Sequence, residues 1–248
     1  KFEQEEGKFE VTGLLVSLCE RVGATHYYSS LGSKDYLEEH LFAEAGMALA
    51  TDKISSSQRK TAKYFLVVAV LFLLQLGVGA VMAHYTVHPD SLFGSKLLAD
   101  FLPYNWVKTW HLQLAVFWIA VSWIGFTLFV SPRVGNKEPK AQGFLVDVLF
   151  IAVLIVALGS LTGEVLGIKG LLGNAWFWLG HQGWEYLELG RLWQILLLVG
   201  LVIWLGLVLR GLWSHFGPGQ DKWGLPQFLA YSGVAVVGFF CFGLFYDS

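Results

Sequence analysis

Few residues in this chain combine a reactive type with a telling position, and His111 is the first of them. It stands in NWVKTWHLQLAVFW, about two residues inside a stretch apolar enough for the hydrocarbon of a bilayer. A titratable ring in lipid is costly unless it is paired, so a histidine there marks function by default. Its neutral imidazole could ligate a haem iron through one nitrogen while an acceptor orients the other. The competing view is a histidine hydrogen-bonded at a wet helix end, and position alone leaves the two even.

The other candidates are weaker. His84 and His88, in AHYTVHPDSLFG, share a face at helical spacing, as a metal pair would. Pro89 follows directly and no third ligand is near, so a closed metal site is disfavoured. Glu185 and Glu188 lie three apart in GLLGNAWFWLGHQGWEYLELGR, from Gly170 to Arg191, and would share a helix face. The Trp, Phe and Tyr around them are typical of a membrane–water boundary, which predicts an interfacial anchor helix. Asp147 and Glu164 are isolated carboxylates in or near one apolar span, and each either faces an internal polar path or is solvated at the span's end. His181 and His215 read as surface histidines, and GVG at Gly77–Gly79 as close helix packing. Cys19 and Cys241 sit in unlike surroundings and read as free thiols. No phosphate loop, dinucleotide fingerprint, nucleophile elbow or CxxC occurs.

The elements that must hold these residues are long and apolar. Of the 248 residues 55% are hydrophobic and 15% charged, against about 25% charged in soluble domains. The net charge of −2 excludes nucleic acid or a polyanion as a partner. Five stretches, near residues 62–83, 109–130, 144–168, 190–213 and 225–246, pass the roughly 18-residue length that spans the hydrocarbon core. Lys53, Arg59, Lys60, Lys63, Arg133, Lys137, Lys140, Arg210 and Lys222 fall at one set of ends, with fewer cations (Lys96, Lys108, Lys169, Arg191) at the other. That bias predicts a cytoplasmic N-terminus. No secretory signal opens the chain, and its first residue is not Met.

Residues 1–54 differ in kind, mixing polar and apolar positions like a fragment of a soluble α/β protein. Within them GATHYYSSLGSKDYLEEHLFAEAGM, residues 23–47, resembles part of the WbqC-like family. From residue 55 onward the segments SSQRKTAKYFLVVAVLFLLQ, TWHLQLAVFWIAVSW, GNAWFWLGHQGWEYLELGRLWQILL and GLFYDS resemble the catalytic subunit of bacterial nitric oxide reductases, most closely the quinol-dependent form. That family lies in the haem-copper oxidase superfamily. The fold expected is therefore all-α: a polytopic membrane protein with about five transmembrane helices of a larger bundle, behind a short polar N-terminal segment.

The resemblance implies roles. His111 matches the axial ligand of a low-spin haem b, and His84 a residue of the quinol pocket at the outer face. Glu185 and Glu188 match a carboxylate pair near the haem propionates and a calcium site, and carboxylate oxygens suit that hard cation. His88 stands where the family has an acidic residue, which departs from its quinol contacts. The second ligand of that low-spin haem, the proximal ligand of the high-spin haem and the ligands of the non-haem iron are expected beyond Ser248, so this chain alone is expected to be catalytically incomplete. The implied activity is reduction of NO to nitrous oxide with quinol electrons in the bacterial inner membrane, completed by the remaining part of the reductase. The alternative is a non-catalytic assembly or anchoring module, or an inactive remnant. A small transporter is disfavoured, because no inverted repeat or broken helix pair is visible.

Overall fold

A computed structural model describes residues 2–29, 36–51, 54–135, 138–181, 189–216 and 224–246. The chain divides into two compact units, Lys1–Ser55 and Ser56–Ser248.

The first unit runs α1 (Phe2–Arg21), β1 (His26–Ser29), α2 (Glu39–Glu44), β2 (Ala48–Thr51). The strands pair in parallel from His26 opposite Ala48 to Ser29 opposite Thr51. A parallel pair needs a crossover, and α2 lies within it, with Phe42 fully buried and stacked on Tyr27 at 5.1 Å between ring centroids. Helix α1 stops at Gly23, which takes φ +65°. There the N–H groups of Gly23 and Ala24 turn back onto the carbonyls of Glu20 and Cys19, as a left-handed glycine cap allows.

The second unit is helical: α3 (Ser56–Lys60), α4 (Ala62–Val87), α5 (Lys96–Phe101), α6 (Tyr104–Val134), α7 (Gln142–Ile168), α8 (Trp176–Leu179), α9 (Arg191–Leu212) and α10 (Leu225–Tyr246). Five stretches, Ser56–Val87, Tyr104–Val134, Gln142–Ile168, Arg191–Leu212 and Leu225–Phe245, are long and apolar enough to cross a membrane. This is the multi-pass all-α architecture expected from the sequence.

Two spans run further than the apolar stretches indicated. Helix α4 continues to Val87, and α6 starts at Tyr104 rather than near residue 109. Helical hydrogen bonding does not stop where side chains turn polar, and Pro103 at the cap suits the start of α6, its fixed φ giving the extended entry. His111 is consequently the eighth residue of its helix. At 1.5 Å per residue α6 is about 46 Å long, more than the roughly 30 Å apolar layer.

Helix α6 is the centre of the unit and packs on α4, α7, α9 and α10. The core runs through Leu114, Phe117, Val121, Ile124 and Leu128 on α6 to Leu149 on α7 and Trp204 on α9. Helices approach closely where one lacks a side chain, a common device when lipid supplies no hydrophobic drive between them. Gly125 of α6 receives the Tyr64 side chain of α4, and Gly159 of α7 lies under the Trp193 indole of α9. Buried polar groups find partners across helices: Trp204 donates to Thr127 Oγ1 at 2.7 Å, and Tyr64 to the Val146 carbonyl at 2.7 Å. Unsatisfied, such groups are expensive in a dry interior.

Candidate functional site

The seam between α4 and α6 holds His111. On α6, His111 and Trp118 are seven residues apart and face α4; on α4, Phe72, Gln75 and Gly79 occupy the opposing face. The half-buried imidazole is turned into this seam. Its Nδ1 is 3.3 Å from the Gln75 carbonyl oxygen. A carbonyl can only accept, so Nδ1 carries the proton and, in the neutral ring, Nε2 keeps its lone pair.

Gln75 holds α6 with its side chain as well. Its Nε2 donates to the His111 carbonyl at 3.4 Å, and its Oε1 accepts from the Trp118 indole N–H at 2.5 Å. Phe72 meets the same indole edge-on at 5.4 Å between centroids. Gly79 explains why the ring can lie so close: a Cβ built there would be 2.8 Å from His111 Cε1 and 3.1 Å from Nδ1. Of the two glycines in GVG, only Gly79 meets a neighbour this way; Gly77 faces open space. An imidazole with its tautomer fixed by a backbone acceptor and Nε2 unprotonated fits the chemistry of an axial haem ligand.

His84 and His88 lie at the C-terminal end of α4. Their rings are 5.3 Å apart, and His84 also packs on Phe93 at 4.7 Å. The Phe93 N–H donates to His84 Nε2 at 3.0 Å, so in a neutral ring Nδ1 bears the proton. Phe93 takes φ +51°, an unusual conformation for a bulky residue, and the histidine holds this turn in place. Phe93 is itself largely exposed, so the histidine packs against an apolar ring open to its surroundings. Among the described residues no three His, Cys, Asp or Glu are grouped to hold a metal ion.

The two carboxylates of α7, alike in the sequence, have different surroundings. Glu164 is only 1% exposed and accepts from Gln113 Nε2 of α6 at 2.5 Å, so it is not solvated, although it is one turn from the helix end. The reason is the segment that follows: Leu179 and Gly180 fold back over Gly163 and Gly167, with the Trp193 indole donating to the Leu179 carbonyl at 2.8 Å. Nor is Asp147 isolated. It is half-buried and bound by two ammonium groups, Lys60 at 2.5 Å and Lys63.

Glu185 and Glu188 lie outside the described residues. The chain on either side is firmly seated: His181 lies against Gly167, and Leu189 is buried with its carbonyl taking a bond from Gln194 Nε2 at 3.0 Å. Trp176 and Trp178, about half exposed, precede this loop. His215 closes a short turn, Trp213–His215, after α9. A shallow cleft between α6, α7 and α9 is lined by Phe117, Val121, Leu149, Val153, Leu197 and Gly200 among others; with apolar walls it offers no acid, base or ligand.

Residues 59–247 match the family Cytochrome C and Quinol oxidase polypeptide I. The chain belongs to this family. Its members, the haem-copper oxidase subunit I proteins, are membrane oxidoreductases that generally bind haem, and the His111 seam supplies one residue suited to that group. Residues 3–71 match the WbqC-like protein family, a longer stretch than the resemblance over 23–47, and the two matches overlap at 59–71. None of the curated proteins matches the chain.

The sequence singles out His111 but not the groups that hold it. Gln75, Gly79 and Trp118 were legible only as one amide and one gap at i, i+4 spacing in an apolar span, and an indole one heptad beyond the histidine. Gln113 was likewise a lone amide in an apolar run. An isolated Gln in a span is a usable signal, because its amide demands partners that lipid cannot give.

Proposed function

We propose that this subunit I chain is part of a quinol-dependent nitric oxide reductase, with His111 as an axial ligand of haem b. The observation that carries the ligand assignment is the Nδ1 contact with the Gln75 carbonyl, which leaves Nε2 as the free base inside a membrane-spanning bundle. The specific reductase type rests on the resemblance of the segments around His111 and Glu185. When bound, the haem supplies one-electron transfer. The overall reaction takes two NO, two electrons and two protons to one nitrous oxide and one water.

The chain's own groups divide the remaining tasks. His84, with Nε2 engaged by the Phe93 N–H and its ring against the Phe93 ring, would meet a quinol hydroxyl through Nδ1. Glu185 and Glu188 would lie by the propionates and a calcium ion, as hard oxygen donors. The second ligand of the His111 haem, and the ligands of the high-spin haem and the non-haem iron, would come from outside this sequence. The Lys60 end of the bundle would face the cytoplasm of a bacterial inner membrane.

Haem titration of the purified full chain tests the ligand. Wild type should develop a Soret band that His111→Ala loses, while both melt alike without haem. A band of equal strength in both would overturn the assignment. Coding sequence beyond Ser248 tests the reductase type: an in-frame helix resembling HLWVEGFFE supports it, and a helix without metal-ligating residues counts against it.

A further inference from the structure

We infer that Gly79 and Gln75 of α4 are positioning residues for the His111 imidazole, together fixing which nitrogen is offered to iron; the inference rests on the proposed ligand role of His111. Three contacts converge on one turn of α4. The Gln75 carbonyl takes the Nδ1 proton at 3.3 Å, the Gln75 amide donates to the His111 carbonyl at 3.4 Å, and the same amide's oxygen accepts from Trp118 at 2.5 Å. The first sets the tautomer, and the other two lock Gln75 to the backbone and to the next heptad of α6.

Gly79 makes the first contact possible. Its Cα faces the ring where a side chain would intrude, since a Cβ there would lie 2.8 Å from Cε1. That is shorter than two carbon atoms tolerate without contact, so a methyl group at residue 79 drives the ring away from the Gln75 carbonyl. Gly77, two residues earlier on the same helix, has open space at its Cβ position. The site therefore demands glycine at one of these positions and tolerates alanine at the other.

A hydrogen bond from the distal nitrogen makes an imidazole a stronger base and fixes its plane; losing such a partner typically weakens metal binding about 10–100-fold. A stronger base favours the more highly charged ferric state, so loss of the bond should raise the midpoint potential of the bound haem. Burial of His111 as an ordinary packing residue predicts neither effect.

The test uses the full chain in detergent micelles, with haem b as probe, comparing wild type, Gly79→Ala, Gly77→Ala, Gln75→Leu and His111→Ala. Gly79→Ala should bind haem roughly 10–100-fold more weakly than wild type, with an upshifted midpoint, while Gly77→Ala stays at wild-type values. Gln75→Leu keeps the backbone carbonyl but loses both side-chain bonds, so its shift should have the same sign and smaller size. It remains decisive if Gly79→Ala fails to fold. Wild-type affinity and potential in both Gly79→Ala and Gln75→Leu, alongside loss of haem in His111→Ala, would overturn the positioning role and leave the ligand standing. Equal haem binding in wild type and His111→Ala would overturn both.

Discussion

Helix α7 carries two carboxylates seventeen residues apart, and their fates differ. Asp147 keeps contact with solvent and is matched by charge, with Lys60 and Lys63 on either side. Glu164 is sealed between α6 and the returning aromatic segment and is matched by an amide. An exposed ion pair gains little, because water and salt already screen it. A buried carboxyl group depends on each donor it has, because nothing replaces a lost one. The bundle thus spends cations where they are cheap to solvate and uses a neutral partner where a charge would be costly to bury.

Three substitutions probe that contrast. Gln113→Leu removes a donor from Glu164 in a dry seam and should cost about 1–3 kcal/mol of stability, read as a lower midpoint in denaturant titration in micelles. A midpoint equal to wild type would erase the distinction between the two carboxylates. Asp147→Asn should cost less, about 0–1 kcal/mol, since the partners are partly wet. That loss should shrink further in high salt, whereas the Gln113→Leu loss should not; parallel salt responses would show that Asp147 is as buried energetically as Glu164. The smallest effect is expected for Glu164→Gln, which keeps shape and an acceptor for Gln113 and should change stability by less than about 0.5 kcal/mol. A large loss there would mean that the site requires the carboxyl group itself, and would make Glu164 a functional rather than structural acid.

The same contrast explains what could be read in advance. Spans were visible because apolar length is a local property, and family membership followed from segments within them. Their ends were not, since α4 and α6 continue through polar turns whose hydrogen bonds do not depend on side-chain hydropathy. Asp147 and Glu164 looked equivalent because each is one acid near a span's end; only the lysines of α3 and α4 on one side, and Leu179 and Gly180 folding over the other, separate them. His84 was visible as half of a pair, but its hold on the Phe93 turn depends on a backbone N–H nine residues away.

By itself the sequence determined that this chain spans a membrane as helices, since hydrocarbon forces every backbone group in a span of that length to bond internally. It also singled out His111, because a titratable ring in such a segment is costly without purpose. Which nitrogen of that ring is free was decided only by tertiary structure. It depends on a carbonyl thirty-six residues earlier and on the missing side chain of Gly79, and a contact between two helices leaves no periodic trace in either one.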